Sequence, residues 1–318
     1  KVLPVGHQRR RHPPSRKLRR RDSAVAFGCP WHFCVAKIGE RPTLRPEDPM
    51  TTKTKQALVE SLIRDGLDYS AYKAELLAKF PVSESAGSSL LGRVKSFLKR
   101  FNRLYNFLVV AFGPVLPTRK FLKARDRFLS PSANEVVLNL GCGPSSVVHQ
   151  QVLNADIFPF NNVDLVCDAE TMPLRDDCVD KIMNLAMLEH VRNPIGVVAE
   201  MYRVMRPGGE VLCYVPFLQP FHAAPHDYQR WTAVGAKELF SAYSSVEVSV
   251  GAGSTSALLW VFLEWLSTLL SLGSQKLKDL LFMVLMVLLS PIKLLDLFLE
   301  LLPGNQLAAS GFFIVAKK

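Results

Sequence analysis

Residues 135–146 read EVVLNLGCGPSS, and the fold turns on this stretch. Its first half is a short β-branched, apolar run of strand character. It passes into Gly141-Cys142-Gly143 and then Pro144, a residue tolerated at the first position of a helix. The expected order is therefore strand, glycine turn, helix start. Glycines let backbone approach a ligand closely, and a helix N-terminus turns N–H groups toward negative charge, the general logic of nucleotide-cofactor loops. One glycine turn is a weak signal, so the weight falls on the segments after it.

VLNA at 152–155 reads as a second strand, closed by Asp156, 15 residues past Gly141. An acidic residue there can accept hydrogen bonds from ribose hydroxyls. The gap from Gly143 to Asp156 is short, which predicts a truncated first helix. A third strand, VDLVC, ends at Asp168; TMPLRDDCVD then leads into a fourth, KIMNLAMLEH. A helix over 194–205 is expected to stop at Pro207-Gly208-Gly209, before a fifth strand, EVLCYVPF. VEVSV (246–250) and GFFIVAKK (311–318) supply a sixth strand and a seventh, antiparallel one. Strands alternating with helices predict an α/β fold with a mostly parallel seven-stranded sheet covered on both faces.

The 318 residues carry a net charge of +11, which raises the question of nucleic acid. Residues 1–49 hold 12 Lys/Arg against 4 Asp/Glu, or +8, so most of the excess belongs to that tail. RRRHPPSRKLRRR has almost nothing to bury, and residues 1–49 are expected to be a disordered basic tail, with Met50 as a candidate native start. A nucleic-acid partner is not indicated. The six cysteines lack paired short spacings, and Cys29 and Cys34 in CPWHFC have no second pair. A reducing compartment is inferred, with no disulfide framework and no metal site expected.

The segment 50–129 reads as an N-terminal helical region. From 90 to 108 apolar residues recur at three and four, and Arg93, Lys95, Lys99, Arg100 and Arg103 lie opposite them. With Arg119, Lys120, Lys123, Arg125 and Arg127, this stretch has the make-up of an element that lies on an anionic membrane surface.

Taken together, VLNLGCGPS, Asp156, DAETMPLRDDCVD, LAMLEHV and RVMRPGG, within about 130–250, make the chain resemble the class I S-adenosylmethionine-dependent methyltransferases, in their small-molecule, quinone-methyltransferase-like branch. The resemblance implies a Rossmann-like domain over 130–318 and S-adenosyl-L-methionine as cofactor. It implies that Gly141, Cys142 and Gly143 pass close to the methionine part of the cofactor, that Asp156 holds the ribose, that Asp168 and Ala169 meet the adenine edge, and that Asn184 and Leu185 line the cofactor from below. Asn139 stands where the family has an acidic residue, and Ser145 replaces a third glycine. Asn139 can still accept a hydrogen bond there.

Methyl transfer needs nucleophile, methyl carbon and departing sulfur held in line, so positioning and exclusion of water can supply most of the catalysis. A base helps when the acceptor is a hydroxyl. The candidates are His222, His226 and Asp227 in PFLQPFHAAPHDYQRWT, directly after the fifth strand, with Tyr228 and Arg230 beside them. The competing reading is a loop packed through Phe217, Phe221, Tyr228 and Trp231, with Asp227 paired to Arg230. His190 is expected to make a structural hydrogen bond.

Residues 254–305 form an apolar insertion between the sixth and seventh strands. ALLWVFLEWLSTLLSL contains Glu264, and the second run stays apolar only from Leu280 to Leu289 before Ser290-Pro291 and Lys293. Neither matches the roughly 20 residues of a membrane-crossing helix, so a hairpin in one leaflet is expected, on the face where the active site opens. This points to a cytoplasmic, peripheral or monotopic enzyme acting on a small-molecule or lipid-linked acceptor. A soluble methyltransferase with the hairpin as oligomer interface and a non-catalytic membrane scaffold are the alternatives.

Overall fold

The structure, a computed structural model, describes residues 49–80, 108, 110–144, 147, 149–223 and 226–318. The basic tail up to residue 48, Ser145, and nearly all of the amphipathic stretch 90–108 lie outside the described residues.

In chain order the elements are helices α1 (Pro49–Leu62), α2 (Tyr69–Lys79) and α3 (Arg119–Phe128), then strands β1 (Val137–Leu140), β2 (Val152–Asp156), β3 (Leu165–Val166) and β4 (Val179–Leu185). A 3-10 turn (Leu188–His190), α4 (Pro194–Val204), β5 (Met205–Pro216), α5 (Ala233–Leu239) and β6 (Ser245–Ala252) come next. The hairpin is α6 (Ser254–Leu270) and α7 (Gln275–Leu289), extended by a 3-10 stretch (Ser290–Leu295) and α8 (Asp296–Leu299); β7 (Gly311–Lys317) closes the fold.

The sheet order is β3-β2-β1-β4-β5-β7-β6. All pairings are parallel except those of β7, which runs antiparallel to both β5 and β6. β1 and β2 are buried along their whole length, as strands covered on both faces require, and read as continuous apolar runs broken only by asparagines and Asp156. The edge strand β6 alternates exposed and half-buried residues over its first half. On one face of the sheet Leu138, Leu153, Met201 and Phe240 share a core with Val59 and Leu62 of α1. On the other, Phe121 and Phe128 of α3 pack with Leu259, Trp260 and Leu263 of α6.

Local sequence explains most helix starts. Asp68, Thr118, Asn193, Thr232 and Ser274 cap α2, α3, α4, α5 and α7 with side-chain oxygens, and Pro194 stands in the first turn of α4.

Four expectations are corrected. No helix forms among the described residues between Gly141 and Gln151, so Pro144 does not begin one. A polar network holds this short crossover instead: Asn139 Nδ2 donates to Asn154 Oδ1 at 3.0 Å, and Asn154 exchanges hydrogen bonds with the backbone of Val147 at 3.2 and 3.1 Å. Asp164 accepts from the Asn154 backbone and is paired with the buried Lys55 of α1 at 3.0 Å. The fourth strand ends at Leu185, and LEH is a 3-10 turn beyond it. The RPGG segment lies inside β5, which starts at Met205 and takes up a register shift opposite Val179 and Lys181. Finally, the helical path continues through Ser290-Pro291, so Gln275–Leu299 is, by length and composition, long and apolar enough to cross a membrane. Two buried polar residues anchor that run to the protein itself. Lys293 Nζ donates to the carbonyls of Val110, Ala111 and Gly113, and Asp296 accepts from the first turn of α6.

Candidate active site

In the observed order the chain leaves β1 toward β2 and β3 on one side and β4 and β5 on the other. The crevice beyond the carboxyl ends of β1 and β4 is thus the switch point where open α/β sheets bind ligands. Gly141 follows β1 with φ +74°, and a Cβ there would come within 2.5 Å of Met187 Cγ, just past β4. Gly143 has φ +59° and open space where a side chain would stand. Ala186, on the β4 side of the crevice, holds a left-handed φ of 55°, uncommon for a residue with a side chain.

Asp156 ends β2 facing the same loop. Its Oδ2 accepts from Gly143 N at 2.8 Å and its Oδ1 from Phe158 N at 2.9 Å. Burial pushes this carboxyl above its usual range, against the opposing pull of the Phe158, Gly143 and Ile157 N–H groups. A carboxylate has about four lone-pair sites, so with three N–H groups engaged about one remains for a ribose hydroxyl. Asp168, past β3, is half-buried; its Oδ1 accepts from Glu170 N and its own N–H donates to the Tyr72 hydroxyl. Ala169 is half-buried beside it. The left-handed glycines, the open space at Gly143 and the two carboxylates beyond β2 and β3 suit a cofactor with a ribose and an adenine; when bound, S-adenosylmethionine supplies an activated methyl group.

Three of the residues expected near the cofactor have their side chains engaged elsewhere. Asn139 is buried in the crossover network. Asn184, fully buried, donates to Leu140 O at 3.1 Å and accepts from Cys213 Sγ at 3.5 Å, joining β1, β4 and β5 at the switch point. Leu185 packs into the core shared with α6. Cys142 Sγ lies 3.4 Å from Gly143 O, and burial, with Asp156 and Asp164 nearby, raises its thiol far above its usual range.

The loop after β5 is latched onto the turn after β4. Tyr228 N donates to Glu189 O at 2.7 Å, His190 Nδ1 meets the His226 carbonyl, Gln229 Nε2 donates to Val191 O at 3.3 Å, and Arg192 Nε donates to the Tyr228 hydroxyl at 3.1 Å. His190 thus makes its expected structural bond. Within the loop Asp227 receives both terminal nitrogens of Arg230 and the His222 N–H. Burial pushes Asp227 up, but the hydrogen bonds from Arg230 and His222 outweigh it and hold the carboxyl below its usual range. So engaged, Asp227 organises the loop and is a poor proton acceptor. His222 is buried, stacked on Trp260 of α6 at 5.5 Å between ring centroids. His226 is exposed. Of the four aromatics expected to pack the loop, Phe217 and Trp231 join the core and the Tyr228 ring lies against His226 and Arg192, whereas Phe221 is 74% exposed.

One residue at this edge escaped the sequence reading. Glu189, fully buried, brings Oε1 to 3.6 Å from His222 Nε2 and 3.7 Å from His190 Nε2. Its position in LEHV was visible, but the approach of His222, 33 residues later, is a matter of tertiary structure.

Comparison with known proteins bears on this crevice. A family model described as "Methyltransferase domain" matches residues 138–213. The chain is similar to the ubiquinone/menaquinone biosynthesis C-methyltransferase of Acidiphilium cryptum, 36% identical over 77 residues, which are 23% of this chain and 31% of that protein. It is also similar to an uncharacterized methyltransferase of Mycobacterium ulcerans, 49% identical over 51 residues, 16% of this chain and 20% of the other. The chain thus spans about a third or less of the length of these relatives. Among solved structures, Haemonchus contortus phosphoethanolamine N-methyltransferase 2 with phosphomonomethylethanolamine and S-adenosylhomocysteine aligns at 16% identity and a TM-score of 0.40, over 62% of this chain and 52% of that one. A SAM-dependent methyltransferase from Archaeoglobus fulgidus aligns at 18% identity and a TM-score of 0.38, over 63% and 95%. Between Leu138 and Cys213 the chain therefore matches the methyltransferase domain, in agreement with the class I S-adenosylmethionine-dependent methyltransferases that its sequence resembles.

Proposed function

We propose that the chain is an S-adenosylmethionine-dependent methyltransferase that takes an amphiphilic or lipid-linked acceptor at a membrane surface, on the cytoplasmic side. The observation that carries the acceptor class is a groove of about 660 Å³ between the loop after β5 and the apolar hairpin. Phe217, Leu218 and Pro220 line one wall, and Val261, Trp265 and Leu269 of α6 the other. β6 runs parallel to β5, because both are antiparallel to β7, so α6 starts at the same carboxyl edge as the loop and the glycine turn.

Trp265 in the groove wall belongs to a hairpin with many exposed apolar side chains among the described residues. Leu258, Trp265, Leu272, Leu288 and Phe298 are all more than half exposed, Leu272 at 91%. A headgroup lying in the groove would present its nucleophile to the crevice while its chain stays with the hairpin. Gly141, Gly143, Asp156 and Asp168 would hold the cofactor, and the latched loop would keep water from the methyl group. The basic contribution is smaller than the count of cations suggests: Arg125 is buried, and Lys120 and Arg127 are paired with Glu247 and Glu210.

Incubation of the purified chain and methyl-labelled S-adenosylmethionine with fractionated cell lipids and with soluble extract tests the reading. Label is expected in the lipid fraction and lost with Asp156→Ala. Label only in the soluble extract overturns the amphiphilic acceptor, and a chain that binds the cofactor but labels neither is a scaffold.

A further inference from the structure

Glu189, His190 and His222 each bring one metal-competent atom to within 4.8 Å of the others. Glu189 is fully buried, and neither of its carboxylate oxygens accepts a hydrogen bond from a described residue. An ionised carboxylate in such a place needs a positive partner. The His222 and His190 Nε2 atoms, 3.6 and 3.7 Å from Oε1, stand beyond hydrogen-bond range of it. Two ligands each about 2.1 Å from a shared tetrahedral ion stand about 3.4 Å apart, close to what is seen.

The far side of each ring fixes what faces Glu189. His190 Nδ1 lies against the His226 carbonyl, and His222 Nδ1 lies 2.7 Å from the Pro220 carbonyl. A carbonyl can only accept, so both Nδ1 atoms carry a proton, and it is the Nε2 of each ring that stands toward Glu189. Arg230 Nη2, 3.2 Å from His222 Nδ1, has better acceptors in Pro220 O at 3.0 Å and Asp227 at 2.6 Å. Histidines oriented by backbone carbonyls through the other nitrogen are the usual support of a metal centre. One carboxylate and two imidazole Nε2 atoms thus converge at the carboxyl edge, with Trp260 stacked on His222 as an apolar wall.

We propose that Glu189, His190 and His222 hold a divalent transition cation of the zinc class. Two imidazoles and one carboxylate form a three-ligand set that leaves a position for a further oxygen ligand. The ion would also fasten the loop after β5, through His222, to the turn after β4. The inference rests on the geometry of these side chains and is independent of the methyl-transfer reading.

The test uses the full chain, stripped with a chelator and titrated with Co²⁺ followed by Zn²⁺. One Co²⁺ per chain is expected, with visible absorption of a low-symmetry site that Zn²⁺ abolishes, and a melting temperature that rises with metal. Glu189→Gln and His222→Ala are each expected to weaken Co²⁺ binding at least about tenfold, with circular dichroism unchanged; His190→Asn serves if either fails to fold. If wild type and variants take up Co²⁺ equally, the ion sits elsewhere. If wild type takes up none and its melting temperature ignores the metal, Glu189 is balanced by protonated histidines. Either result overturns the proposal, and neither bears on whether the chain transfers methyl groups.

Discussion

Asp296 Oδ2 and Ser256 Oγ, forty residues apart, meet at 2.6 Å at the start of α6. Gly253, which precedes that helix, offers no side chain to cap it; Asp296 accepts from Thr255 N at 2.8 Å and Ser256 N at 2.9 Å in its place. The far end of the hairpin thus supplies the anion that the near end needs. Replacing Asp296 by alanine leaves buried donors unsatisfied, and a loss of about 2–4 kcal/mol is expected. Denaturant unfolding in detergent measures it; a change under about 0.5 kcal/mol would show that the cap is dispensable.

Asp227 predicts a pH dependence. Its carboxyl is held below the usual value, near 3.9 for a free side chain. The folded state therefore binds this proton less readily than the unfolded one, and the stabilisation is complete above about pH 4 to 5 and lost as pH falls through the lowered folded value. Hydrogen exchange in the loop after β5 should rise over that acid window in the wild type. Asp227→Asn, which removes the negative charge that Arg230 pairs with, should cost about 3 kcal/mol and remove the acid step.

At the switch point, Gly141→Ala imposes two penalties: about 1–2 kcal/mol for a left-handed φ and a collision with Met187. Cofactor affinity by calorimetry is expected to fall at least tenfold. Adding Met187→Ala should recover only part of the loss, since it relieves the collision and leaves the backbone penalty. Full recovery would place the whole effect in the contact.

Trp265→Glu and Leu288→Glu alter side chains more than half exposed on the hairpin. Thermal stability in detergent should stay within about 0.5 kcal/mol, as for most surface changes. Sedimentation with anionic vesicles should weaken about tenfold for each, since an apolar side chain gains about 1.5–3 kcal/mol on burial. Unaltered vesicle binding, with a shift from dimer to monomer, would assign the face to a second copy of the chain.

Local sequence was enough for the existence and order of the strands, the glycine turn, the place of Asp156 at the end of β2 and the apolar insertion. Burial on both faces demands continuous apolar runs such as VLNL, a left-handed turn demands Gly141 and Gly143, and an unpartnered apolar surface shows directly in composition. Chemistry within a few residues fixes these features. The rest was settled by contacts between distant segments. Pro144 could start a helix, yet eleven residues between β1 and β2 leave the chain held by Asn139, Asn154 and Asp164, whose pairing depends on strand register. Asn184 had the right chemistry for a site, but Leu140 and Cys213, from the neighbouring strands, engage it. Glu189 meets His222 only because β4 and β5 lie side by side and end at the same edge, a proximity set by the parallel sheet and written in no local spacing.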